Sequence, residues 1–215
     1  MARASKGSLA IVVTTAGLLG AGPALGDPLQ VLALGDSLTA GYGLARDSGF
    51  VPQLQAALDA RGTDVVIVNA GVSGDTTAGG RARLDWSLTP DIDAVIVELG
   101  GNDLLRALDP AQSKANLDAI VATAQARDLP VLIAGLQAPA NYGAAYKAAF
   151  DGMFRDLSVQ YDTLLYPDFF AGLRSTADRA SVFQADGIHP NQTGVALIVA
   201  DILPQVEALI ARAQP

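Results

Sequence analysis

No cysteine occurs anywhere in the chain. Disulfides, thiolate metal sites, a cysteine nucleophile and lipid attachment through sulfur are therefore excluded, and stability has to come from a packed core. Histidine is nearly as scarce, since His189 is the only one among 215 residues. A catalytic zinc site draws on several His or Cys ligands. No such metal site is expected here, and only an all-carboxylate calcium site stays open. No P-loop or dinucleotide fingerprint occurs after residue 26, so no cofactor is expected either. Positive charge is also short: 14 Lys and Arg face 22 Asp and Glu, a formal charge of −8. A surface of that sign repels nucleic acid and anionic lipid, which removes both from the expected partners. Disorder is excluded by composition, because half the residues are hydrophobic and only 17% are charged.

One long apolar run is present, and it is N-terminal. Arg3 and Lys6 precede the stretch Leu9 to Leu19, and Ala24-Leu25-Gly26 offers a small-x-small cleavage site. This is the pattern of a secretory signal peptide over residues 1–26. A retained anchor fits less well. Thr14 and Thr15 interrupt the run, Pro23 follows it, and it is shorter than the ~20 apolar residues of a span. Cleavage before Asp27 would leave twelve basic and twenty-two acidic residues, a formal charge of −10. The remainder, 27–215, has the length of one domain with a single core. The expected destination is periplasmic or extracellular, with no stable membrane anchor after cleavage.

Along that domain, short β-rich runs alternate with amphipathic stretches, which implies βα units and a parallel sheet. Strands are predicted at Leu29–Leu34, Val65–Asn69, Ala94–Leu99, Val131–Ala134 and Leu164–Tyr166. Helical spacing links Phe50, Leu54, Ala57 and Leu58, then Leu117, Ile120, Val121 and Ala124, then Ala145, Ala149, Met153, Phe154 and Leu157. A last helix is predicted after Pro190-Asn191, carrying Leu197, Ile198 and Ile202. Pro204 should kink or break it near Leu203. The predicted fold is α/β: a three-layer, flavodoxin-like sandwich around a five-stranded parallel sheet.

In such sheets ligands bind beyond the carboxyl ends of the strands. Gly35-Asp36-Ser37-Leu38 follows the first predicted strand. A serine nucleophile needs a base near neutral pH. If this chain does serine chemistry, His189 is that base, because it is the sole histidine. Asp186 lies three residues earlier in Asp-Gly-Ile-His-Pro, close enough to accept from the other ring nitrogen and fix its tautomer. Two more blocks close apolar runs: Asn69-Ala70-Gly71-Val72-Ser73-Gly74-Asp75-Thr76 and Gly100-Gly101-Asn102-Asp103. All four blocks are predicted to lie in loops. Thr39 stands where the Gly-x-Ser-x-Gly elbow would need its last glycine, so the ordinary α/β-hydrolase fold is not expected.

Taken in order, Ser37, Gly74, Asn102 and His189 with their flanks resemble the SGNH hydrolases, the GDSL family of esterases and lipases. Pro139-Ala140-Asn141-Tyr142-Gly143 makes the thioesterase I, lysophospholipase L1 and arylesterase branch the nearest likeness. The resemblance implies a Ser37-His189-Asp186 triad. It also implies an oxyanion hole built from the Ser37 and Gly74 backbone N–H groups and the Asn102 amide. Other readings remain beside these. Gly74 could simply permit a positive φ, and Asn102 could be a loop cap. Asp36, Asp75 and Asp103 each adjoin one of these residues and are expected to brace loops.

The expected function is a secreted serine esterase or thioesterase acting on short to medium acyl esters, aryl esters and thioesters, lysophospholipids included. Its substrates would be small molecules. Leu105, Pro139 and Tyr142 are the expected substrate-binding residues, with Leu104 and Leu108 beside them, unless the leucines pack inward. A carbohydrate acetylesterase is the alternative within the same chemistry, and a non-catalytic binding module is the alternative outside it. Trp86, the only tryptophan, falls in a predicted helical stretch away from the blocks and suggests no sugar groove.

Overall fold

The structure is a computed structural model that describes Met1, Ala2 and residues 27–214. The predicted signal peptide therefore falls, beyond its first two residues, outside the described residues. The elements run β1 (Leu29–Gly35), α1 (Ser37–Ala40), α2 (Phe50–Asp59), β2 (Val65–Gly71), α3 (Thr77–Ser87), β3 (Ala94–Glu98) and α4 (Gly101–Leu105). They continue with α5 (Pro110–Gln125), β4 (Val131–Ala134), α6 (Ala144–Tyr161), β5 (Leu164–Tyr166) and α7 (Gln192–Ala213). All five predicted strands are present, and β4 and β5 have the predicted bounds.

The sheet is wholly parallel, in the order β2-β1-β3-β4-β5. From β1 the chain crosses outward to β2, then returns over β1 to β3. The carboxyl ends of β1 and β3 therefore flank a switch point, where a crevice opens between outgoing loops. Register sets Gly35 beside both Gly71 and Glu98, so the first three loops leave the sheet at one level.

β1 and β3 read as unbroken apolar runs because helices cover both of their faces. Val31 to Leu34 and Ala94 to Val97 are all buried. On one side α2 packs against α7, and on the other α5 lies between α3 and α6. Phe50, Leu54 and Leu58 of α2 and Ile198, Ile202, Val206 and Leu209 of α7 supply the first layer's core. Each such side chain contributes roughly 1.5–3 kcal/mol of burial free energy.

Pro204 does not break α7, which runs on to Ala213. Pro204 removes one N–H, which leaves the Ala200 carbonyl without its helical donor. Both residues sit on the exposed face, where water can serve that carbonyl, while Leu203 and Val206 anchor the turn inside. Asn191 caps the other end, its side chain accepting from the Gly194 N–H at 3.0 Å.

Candidate active site

Ser37 does not sit in a plain loop but is the first residue of α1. Asp36 makes that turn possible as its N-cap, with Oδ1 accepting from the Leu38 N–H at 3.0 Å. Gly41 ends the turn in the left-handed conformation. Gly71, at the end of β2, has no room for a side chain, since a Cβ there would strike the Ala40 backbone.

The His189 segment arrives from the far side, between β5 and α7. Asp186 organises it. Its Oδ1 accepts from the Ile188 and His189 N–H groups at 2.9 and 3.0 Å, while Oδ2 lies 2.7 Å from His189 Nδ1. These bonds, the imidazole first, hold the Asp186 carboxyl down at about 2. It is thus an acceptor only, which puts the ring proton on Nδ1 and leaves Nε2 free to accept. His189 Nε2 lies 3.0 Å from Ser37 Oγ, which completes a Ser-His-Asp relay across 152 residues of chain. The ring of Tyr42, 4.7 Å away between centroids, backs the imidazole, and Gln184 Nε2 donates to the Tyr42 carbonyl at 2.8 Å. Sequence reasoning did not single out Tyr42 or Gln184.

The other blocks converge on the same place. Gly74 has φ +87° and open space where a Cβ would stand, so its backbone conformation is what calls for glycine. Arg106 Nη2 donates to the Gly74 carbonyl at 2.9 Å, which turns that peptide's oxygen outward. Asn102 belongs to α4 rather than to a loop, and its Nδ2 donates one hydrogen to Asp36 Oδ2 at 3.1 Å. The second amide hydrogen has no protein acceptor among the described residues, and the same holds for the Ser37 and Gly74 N–H groups.

Beneath these residues lie three buried carboxyls without an ion-pair partner among the described residues: Asp36, Glu98 and Asp103. Asp103 accepts from the Thr77 N–H, the Thr77 hydroxyl and the Ser113 hydroxyl at 2.6–2.8 Å, tying α3, α4 and α5 together. Burial raises Asp36 to about 6, against the lowering effect of the Leu38, Asn102 and His189 groups. Glu98 goes well above the usual range through burial and the neighbouring Asp36. Its Oε2 accepts from the Thr39 hydroxyl at 2.8 Å, while among the described residues its buried Oε1 meets no donor within hydrogen-bond distance. Glu98 escaped the sequence reading because it ends an apolar strand and looks like its solvent-facing tip.

A cleft of about 700 Å³ opens over the relay and is mostly apolar in lining. Leu104, Leu105, Leu136 and Pro139, which follow β3 and β4, line it together with Phe170, Leu173, Phe183 and Ile188 from the segment between β5 and α7, where Arg174 and Arg179 add basic groups. Leu105 and Pro139 thus sit where the sequence placed them, but Tyr142 does not. It lies in a single 3₁₀ turn outside the cleft and packs on Tyr146, with ring centroids 5.3 Å apart. The turn after Pro139 carries it outward, and the stacked Tyr146 and Phe150 rings of α6 hold it there. Leu108 also lies outside the lining. Phe170, Leu173 and Phe183 were not singled out from the sequence; for Phe170 its position shortly after β5, at the carboxyl edge of the sheet, was the available signal. Among the described residues no three His, Asp or Glu side chains are placed to hold a metal ion.

Comparison with known proteins agrees with this architecture. Residues 33–197 match the profile of the GDSL-like Lipase/Acylhydrolase family. Esterase TesA of Pseudomonas aeruginosa is 39% identical over 181 residues, covering 84% of this chain and 89% of that protein. Thioesterase 1/protease 1/lysophospholipase L1 of Escherichia coli K12 is 34% identical over 181 residues, covering 84% of each. A crystal structure of TesA superposes with a TM-score of 0.77 at 39% identity, covering 84% of this chain and 99% of that one.

Proposed function

Since the chain belongs to the GDSL-like lipase/acylhydrolase family and is a carboxylic ester hydrolase, we propose that it is a secreted serine esterase and thioesterase. Its substrates would be short to medium acyl esters, aryl esters, thioesters and lysophospholipids. The observation that carries this reading is the continuous relay from Asp186 through His189 to Ser37, at 2.7 and 3.0 Å. Ser37 Oγ attacks the carbonyl carbon while its proton passes to His189 Nε2. The resulting imidazolium is stabilised by Asp186. Negative charge on the former carbonyl oxygen is met by the Ser37 and Gly74 N–H groups and the free Asn102 amide hydrogen. Collapse expels the alcohol or thiol, which takes the proton back from His189, and leaves an acyl-Ser37. Water activated by the same base then releases the acid.

The lining of the cleft supports acyl chains as the recognised part, since Leu104, Leu105, Leu136, Leu173, Phe170 and Phe183 make its surface mostly apolar. A sugar groove has no such support: Trp86 is 78% exposed on α3 and does not line the cleft. Export rests on residues 1–26 and cleavage before Asp27, and places the mature enzyme in a periplasmic or extracellular space. The decisive measurement is kcat/KM across p-nitrophenyl esters of increasing chain length, matched acyl thioesters and acetylated xylan. Rising values from acetyl to medium chains, with thioester turnover alongside, are expected. A marked preference for acetylated xylan with no gain on chain lengthening would overturn the substrate assignment. Mass spectrometry of the secreted protein should find Asp27 as the first residue.

A further inference from the structure

Asn102 carries two amide hydrogens, and only one of them can point into the cleft. The other is held by Asp36 Oδ2 at 3.1 Å. Asp36 immediately precedes Ser37, is 1% exposed, and has donors facing both of its oxygens: Leu38 N–H on Oδ1 and Asn102 Nδ2 on Oδ2. Gly101 lies directly against it, since a Cβ there would come within 2.9 Å of Oδ2. The carboxylate is thus wedged between the first turns of α1 and α4 at the edge of the cleft, and it makes no hydrogen bond to the Ser37 hydroxyl or the His189 ring. A buried carboxylate without a cation is costly to keep, so its place beside two site residues asks for a reason.

We propose that Asp36 is a positioning residue that aims the Asn102 amide at the developing oxyanion. This rests on the oxyanion-hole reading of Asn102. By accepting one Nδ2 hydrogen, Asp36 fixes the rotation of the amide plane and so commits the other hydrogen to the cleft. It fixes Ser37 through the Leu38 bond at the same time, which keeps the spacing between two of the three donors constant. No other side chain of this length fills the place. Asparagine offers one acceptor oxygen, and its NH₂ group would then confront either Leu38 N–H or Asn102 Nδ2, donor against donor. Three titratable groups surround Asp36: Glu98 at the end of β3, Asp103 on α4 and His189 across the cleft. Two are acids, so protonation of Asp36 on mild acidification is a natural response. It would abolish one of its two acceptor positions.

The test is a double-mutant cycle on kcat with Asp36→Asn and Asn102→Ala, using a p-nitrophenyl ester. Asp36→Asn alone should lower kcat about ten- to a hundredfold with KM within about twofold, a fraction of what a whole oxyanion donor supplies. In the Asn102→Ala background the same change should cost no more than about threefold, because its target is gone. Additive losses would overturn the proposal, leaving Asp36 a structural cap. If Asn102→Ala alone keeps near-parental kcat, the oxyanion reading itself has failed, and the two failures are told apart. Should Asp36→Asn not fold, Asp36→Ser replaces it in the same cycle: a loss of kcat that largely disappears in the Asn102→Ala background supports the proposal, and an equal loss in both backgrounds overturns it.

Discussion

Arg83 of α3 donates through Nε to the Asp75 carboxylate at 2.6 Å, and its Nη2 reaches the Gly35 carbonyl at 2.9 Å. One guanidinium therefore ties the loop that carries Gly74 to the end of β1 that precedes Ser37. These loops bear the two backbone N–H groups assigned to the oxyanion. The planar fork suits this, because each arm has a fixed direction. Arg83→Lys keeps the charge but offers no fork, so it should lower kcat about tenfold, with little change in KM. Arg83→Ala should also cost about 1–3 kcal/mol of stability, since a charged hydrogen bond is lost and Asp75 is left half-buried. Urea unfolding beside steady-state kinetics checks both. Parental kcat in the lysine variant would show that the fork is dispensable.

Replacing either Ser37 or His189 by alanine should reduce ester turnover by at least about a thousandfold, because the relay acts as a unit. The folded state should persist, since Ser37 Oγ and the His189 ring make few other contacts by hydrogen bond. A fluorophosphonate probe should label the parent at Ser37 and leave the alanine variant unlabelled. Covalent labelling elsewhere, or turnover surviving in either variant, would move the chemistry to other residues.

Asn102→Ala should cost about 10²–10³ in kcat with a smaller effect on KM. At Gly74 the outcome turns on backbone rather than space. A Cβ there meets nothing within 4 Å, yet φ is +87°. Gly74→Ala should therefore be strained, and Gly74→Val more so, because a β-branched residue is still less tolerant of positive φ. The measurement is kcat together with Tm for the pair. Equal effects of alanine and valine on both would argue against the conformational explanation.

The alternation of apolar runs and helical spacing sufficed for the sheet, because parallel strands covered on both faces carry an unmistakable composition. It also put Ser37, Gly74 and Asn102 at one edge, while His189 and Asp186 were joined to them because His189 is the sole histidine. What it could not supply was side-chain direction. Leu105 and Tyr142 look equally suited to an acyl wall, but one faces the cleft and the other stacks on Tyr146. The absence of a break at Pro204 has a related reason: whether a proline ends a helix depends on which face loses the hydrogen bond. Asp36 and Glu98 were the least legible. Asp36 was expected to brace its loop, which its bond from Leu38 does, and Glu98 was not singled out; that both are buried emerges only from the packed structure.

That burial sets a pH dependence of stability. Folding raises Asp36 from 3.8 to about 6, so the folded state binds its proton more tightly than the unfolded state does. Glu98 shifts in the same direction. Stability from these groups is therefore present at low pH and is lost as pH rises through about 6. Asp186 has the opposite sign, but its folded value of about 2 places its effect below pH 4. Tm should thus fall as pH rises from about 4 through about 6, and Asp36→Asn should flatten that slope. Equal slopes in parent and variant would mean that Asp36 is ionised throughout.

Leu105 and Tyr142 give the sharpest test of the cleft, since the sequence alone ranks them together. Leu105 is 57% exposed in the free protein and lines the wall beside Asn102. An acyl chain lying along Leu104 and Leu136 would cover it, and the apolar surface removed from water would count toward transition-state binding. Leu105→Ala removes part of that surface. The loss in kcat/KM should reach about three- to tenfold on a medium-chain ester, below the value of a fully buried group. On the acetyl ester it should be negligible, because a two-carbon acyl group does not extend along the wall. Tyr142→Ala should leave both substrates within about twofold, since its ring contacts Tyr146 outside the cleft. The quantity to compare is the ratio of medium-chain to acetyl kcat/KM in each variant. If Tyr142→Ala lowers that ratio and Leu105→Ala does not, the acyl chain leaves the cleft over the Ala140–Tyr142 turn instead, and the wall has been assigned to the wrong loop.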